Sequence, residues 1–66
     1  MRIRFQGIEM SLPAGTCLDA LLVRQNAPRP GEAVFLNCRR LGADEWPRTI
    51  LREGDEIETA PLVAGG

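Results

Sequence analysis

Thr16-Cys17-Leu18-Asp19-Ala20-Leu21-Leu22-Val23-Arg24-Gln25-Asn26 is the stretch that decides the fold. Leu18, Leu21, Leu22 and Gln25 follow the i, i+3, i+4, i+7 spacing, so three leucines line one face of an amphipathic helix. Thr16 is read as its N-cap, with Asp19 three residues on in the position of a capping-box partner. Asn26 closes the helix in a left-handed cap. The stretch Ala27-Pro28-Arg29-Pro30-Gly31 that follows cannot continue it and reads as a loop.

On either side of this helix the apolar period falls to two. Ile3 and Phe5 share one face with Arg2, Arg4 and Gln6 opposite, and beyond Gly7 the residues Ile8, Met10 and Leu12 alternate with Glu9 and Ser11. Two short strands joined as a hairpin account for this, and Pro13-Ala14-Gly15 ends the ladder. After the helix, Ala33-Val34-Phe35-Leu36 is a strand, Asn37-Cys38 a turn and Arg40-Leu41 a short return strand. Asp44 is read as the cap of one helical or 3₁₀ turn over residues 44–50, with Pro47 in its first turn and Ile50 and Leu51 as anchors. Glu53-Gly54-Asp55 is a tight turn, and Ile57 and Thr59 mark the last strand. This order predicts an α+β domain over residues 1–60, a mixed sheet of four to five strands packed on one helix. Residues 61–66 lack periodicity and are expected to form a flexible tail.

Composition narrows the function. Sixty-six residues make one small domain, too small to enclose the roughly 300–1,000 Å³ of a typical small-molecule site. Eight arginines face nine acids, for a net charge of −1, which is not the footprint of a nucleic-acid binder. Histidine and lysine are absent, which removes the commonest general base, the commonest metal ligand and the Schiff-base amine. Cys17 and Cys38 are too few for a disulfide scaffold or a metal site. No apolar run approaches a membrane span and no signal peptide precedes the first strand, so a soluble, cytoplasmic monomer working through partners is expected.

Few side chains suggest chemistry. Cys17, near the helix start, reads as a small buried hydrophobe, and Cys38, in a turn, as exposed and without a role. Trp46 and Phe5 read as core or partial core. The acids Asp44, Glu45, Glu53, Asp55, Glu56 and Glu58 crowd the second half of the chain, as solvated faces or as a docking field for a basic partner. Phe35 turns outward if Val34 and Leu36 face the helix, and an exposed aromatic on a sheet is a candidate partner contact. The sequence closes on Leu62-Val63-Ala64-Gly65-Gly66. Two residues without Cβ atoms let a carboxylate thread a narrow channel into another protein's active site, where adenylation by ATP would give it a leaving group. Gly66 and Gly65 are therefore the candidate carrier site, with Leu62, Val63 and Ala64 as partner contacts beside Phe35.

Several segments carry a family resemblance: Pro13-Ala14-Gly15-Thr16 before Leu21-Leu22, Leu36-Asn37, Glu45-Trp46, Ile50-Leu51-Arg52-Glu53-Gly54-Asp55, and Val63-Ala64-Gly65-Gly66. With the element order and length, they resemble the ThiS-type ubiquitin-like sulfur carriers of thiamine biosynthesis, in the ThiS/MoaD family. The resemblance implies a β-grasp fold and a carrier cycle without a bound cofactor. A ThiF-like enzyme would adenylate the Gly66 carboxylate with ATP, a persulfide donor would convert it to a thiocarboxylate, and a ThiG-like thiazole synthase would receive the sulfur. The chain would be a protein co-substrate and not an enzyme. Cys38 stands where the family often has glycine. A MoaD-like small subunit of molybdopterin synthase is the alternative, although Thr59-Ala60-Pro61-Leu62 lacks the aromatic and proline-rich stretch of that group. A ubiquitin-like conjugating modifier would use the same carboxylate to form an amide, and a plain binding module would not need it.

Overall fold

The computed structural model describes residues 1–62 of the chain. Five strands form one mixed sheet in the order β2-β1-β5-β3-β4. They are β1 (Arg2–Phe5), β2 (Ile8–Ser11), β3 (Glu32–Leu36), β4 (Arg39–Leu41) and β5 (Glu56–Pro61), with one helix, α1 (Leu18–Arg24), and one 3₁₀ turn, Ala43–Arg48. β1 pairs antiparallel with β2 and parallel with β5, and β3 pairs antiparallel with both β5 and β4. This is the expected β-grasp, with the long connection through α1 separating the two hairpins.

The alternation in β1 puts Ile3 inward at 1% exposure and Arg2 and Arg4 in solvent. Val34 and Ile57 reach the same interior from β3 and β5, and the leucine stripe Leu18, Leu21, Leu22 covers them from the helix. Leu12, Leu41 and Leu51 complete the buried cluster, with Phe5, Met10 and Trp46 partly buried against it. Trp46 also donates its indole N–H to the Leu41 carbonyl at 3.3 Å, so its polar edge is satisfied.

Both helix-capping expectations at N-termini are corrected. Thr16 does not cap α1: its hydroxyl donates to the Pro13 carbonyl at 2.7 Å, and Cys17 occupies the cap position in extended conformation without a side-chain bond. Thr16 to Leu18 instead join the segment after the 3₁₀ turn, where Leu18 N–H bonds Thr49 O at 2.8 Å and Leu51 N–H bonds Thr16 O at 2.9 Å. That local pairing also corrects Ile50. Neighbours in an extended segment point oppositely, so Leu51 is buried at 2% and Ile50 is 59% exposed. The 3₁₀ turn is not capped by Asp44. Glu45 reaches back, its carboxylate accepting the Gly42 N–H at 2.9 Å, while Asp44 pairs with Arg48 at 3.6 Å. At its other end α1 does close on Asn26, at φ 52°, with Asn26 N–H on Val23 O and Ala27 N–H on Leu22 O, the pair of bonds of a Schellman motif.

Ile8 is also more exposed than its alternation suggests, at 67%. It pairs with Phe5 beside the β1–β2 turn, at the end of the ladder.

Candidate functional site

The segment that leads to Gly66 leaves from the middle of the sheet. β5 lies between β1 and β3 and runs on through Pro61, which sits opposite Glu32. Leu62 N–H donates to Gly31 O at 2.7 Å, so backbone pairing continues past residue 60, where the domain was expected to end. Leu62 is 50% exposed at this exit. Val63, Ala64, Gly65 and Gly66 lie outside the described residues.

Phe35 occupies the outer sheet face. Val34 is wholly buried, so the period of two turns Phe35 away from the helix, and it is partly covered there, not bare. Its cross-strand neighbours are Arg40 on β4 and Glu58 on β5. From the Phe35 level, Leu62 is four residues further along β5, about 13 Å at the usual strand rise. Further across the same face, Arg4 stands beside Glu56, and Arg2 pairs with Glu9 at 3.3 Å. The outer face is thus an aromatic set among alternating charges.

The six acids of the second half do not form one field. Three are engaged in shaping the backbone: Glu45 as described, Glu53 by accepting the Arg2 N–H at 2.9 Å, and Asp55 by accepting the Arg52 N–H at 2.8 Å. Glu56 and Glu58 alone stand on the outer sheet face. Cys17 is partly buried and Cys38 exposed, both as free thiols. Among the described residues, no three His, Cys, Asp or Glu side chains gather as a metal site, and no helix is long and apolar enough to cross a membrane.

Two polar side chains escaped the sequence reading. Asn37, at φ 51° in the β3–β4 turn, donates its amide to Asp55 at 3.0 Å and accepts the Glu56 N–H at 3.0 Å. Gln6, at φ 54° in the β1–β2 turn, holds Thr59: its Oε1 accepts the Thr59 N–H at 3.1 Å and its Nε2 donates to the Thr59 hydroxyl. The available signal was Gln6 at a hairpin turn position that favours Asn, whereas Asn37 fits its own position and gave no signal.

No protein-family profile matches the chain. It is 29% identical over 66 residues to the sulfur carrier protein ThiS of Escherichia coli (strain K12), covering the full length of both. It is 35% identical over 57 residues to an Archaeoglobus fulgidus protein provisionally described as a sulfur carrier, covering 86% of this chain and 65% of that one. Its fold superposes with a TM-score of 0.82 on the crystal structure of a thiamine biosynthesis protein, ThiS, from Geobacter metallireducens, at 20% identity and over all of both chains. The chain is thus similar through the whole of its sequence to a ThiS sulfur carrier, and its fold is that of a ThiS structure.

Proposed function

We propose that this chain is a sulfur carrier for thiazole formation in thiamine biosynthesis, working through the carboxylate of Gly66. The observation that carries the reading is the full-length match to a ThiS sulfur carrier in a sequence that closes on Gly65-Gly66. A carboxylate is a poor acyl donor until a leaving group is attached. In the first step a ThiF-like enzyme would let it attack the α-phosphate of ATP, releasing pyrophosphate and giving the acyl-adenylate. In the second, the terminal sulfur of a protein persulfide attacks the acyl carbon and AMP departs. A thiol reductant then cleaves the sulfur–sulfur bond and leaves the thiocarboxylate, from which a ThiG-like synthase takes sulfur. The chain contributes a carrier end and a docking surface, catalyses no step itself, and does this work in the cytoplasm.

The geometry supports this division of labour. Leu62 is tied to Gly31 at the edge of the fold, and four residues beyond it span at most about 14 Å when extended. An activating enzyme would therefore close over the end of β5, within reach of Phe35, to bring Gly66 to its nucleotide.

Intact-mass spectrometry after incubation with ATP, a ThiF-like enzyme and a persulfide donor tests the reading. One terminal oxygen should be replaced by sulfur, and the product should support thiazole synthase turnover. Deleting Gly66 should abolish the conversion while leaving the unfolding midpoint unchanged. An unaltered mass with an activating enzyme competent on another carrier would overturn it, and transfer to molybdopterin synthase or an amide link to a target protein would assign one of the alternatives.

A further inference from the structure

We infer that Gln6 is a positioning residue whose side-chain amide extends the sheet by one rung along β5 and so fixes the point from which the carrier end leaves the fold. This rests on the carrier reading above for its purpose, though not for its geometry.

In the parallel pairing of β1 with β5, Arg4 N–H bonds Asp55 O and Gln6 N–H bonds Ile57 O, both at 2.9 Å. Odd-numbered residues of β5 thus direct their backbone groups toward β1. Even-numbered ones face β3, as Asn37 N–H on Glu56 O and Leu62 N–H on Gly31 O show. The next residue facing β1 is Thr59, but there β1 has already ended and the main chain turns away at Gln6-Gly7. The Gln6 side chain takes the vacant place. Its Oε1 accepts the Thr59 N–H at 3.1 Å, and its Nε2 lies 3.5 Å from Thr59 O while donating to the Thr59 hydroxyl. A primary amide has the donor and acceptor of a peptide group, so it stands in for one.

The residue after that on the same side is Pro61, which has no N–H to satisfy. Amide and proline together leave the β1 side of the exit strand without an unpaired donor from Thr59 to Pro61. On the other side, the Leu62 N–H bond to Gly31 holds the last described residue. Backbone conformation points the same way. At φ 54°, position 6 favours Gly or Asn, and Gln there is strained relative to either. What Gln adds is reach.

Replacing Gln6 separates the clamp from the turn. Gln6→Gly suits the positive φ and should fold with an equal or higher melting temperature. In the free chain, amide hydrogen exchange at Thr59 should then accelerate about five- to tenfold relative to Ile57, the size expected for one lost hydrogen bond, and Leu62 should follow. Gln6→Glu keeps an oxygen acceptor for the Thr59 N–H and should restore protection at both. With the activating enzyme, Gln6→Gly should raise KM several-fold with kcat held, because an unfixed exit must be ordered on docking. Unchanged exchange at Thr59 in Gln6→Gly, or loss there that spares Leu62, would overturn the inference, as would an unchanged KM despite lost protection. A parent chain that is never adenylated would overturn the carrier reading instead, with the exchange of Thr59 and Leu62 still deciding the role of Gln6.

Discussion

Cys38 sits at φ 68° in the two-residue turn between β3 and β4, directly after Asn37 at φ 51°. Both torsions are positive, the geometry of a type I′ hairpin, for which Asn-Gly is the favoured pair. Asn tolerates that region, and a thiol-bearing Cβ does so at a cost of about 1–2 kcal/mol. Cys38→Gly should therefore stabilise the domain by about 0.5–1 kcal/mol once glycine's freer unfolded state is discounted. Urea unfolding would read this as a higher midpoint at unchanged slope. Cys38 in place of the glycine such a turn favours was visible in the sequence, and it leaves the β3–β4 pairing intact. Thr16 was less legible. Its spacing to Asp19 satisfies a capping box, but a competing carbonyl at Pro13 and the pairing of Leu18 with Thr49 claim those atoms first. Local spacing cannot weigh a contact made by a residue thirty positions away.

Among the elements, the β3–β4 hairpin and the turn before β5 are locked together by one side chain. Asn37 donates to Asp55 and accepts from Glu56, and Asp55 in turn accepts the Arg52 N–H, which holds the turn whose Gly54 lies at φ 84°. Asn37→Ala removes two of these bonds and should cost about 1–2 kcal/mol. Exchange at the Glu56 amide would rise ahead of the rest of β5, locating the loss. The elements themselves were legible because each carries its own period: two in β1 and β3, and the helical stripe in α1. What failed was the extent of cover. Ile8 fits its alternation and Ile50 reads as an anchor of the 3₁₀ turn, yet both stand in solvent.

For the molecule as a whole, core and outer face should respond oppositely to truncation. Leu21 is fully buried, and Leu21→Ala should cost about 2–5 kcal/mol. A domain of this size holds only about 3–10 kcal/mol in total, so circular dichroism should show a large fall in melting temperature or no folded baseline. Phe35→Ala, on the outer face, should cost far less stability and, on the proposed function, weaken binding to a ThiF-like enzyme or a ThiG-like synthase, as a titration calorimeter would register. The architecture was legible from the order of periods, with one helix between two hairpins. The Gly65-Gly66 end is a reading of the sequence alone and lies outside the described residues. The amide of Gln6 against Thr59 was not, since it joins residues 53 positions apart through a side chain that reads as ordinary surface.

The central, parallel placement of β5 beside β1 also has a mechanical meaning. A pull applied beyond Leu62 along the strand would load its rungs to β1 and β3 together, in shear, and would not peel them one at a time. A partner that gripped this end and drew it into a channel would thus haul on the central strand of the sheet. Tension applied there is resisted by the whole domain.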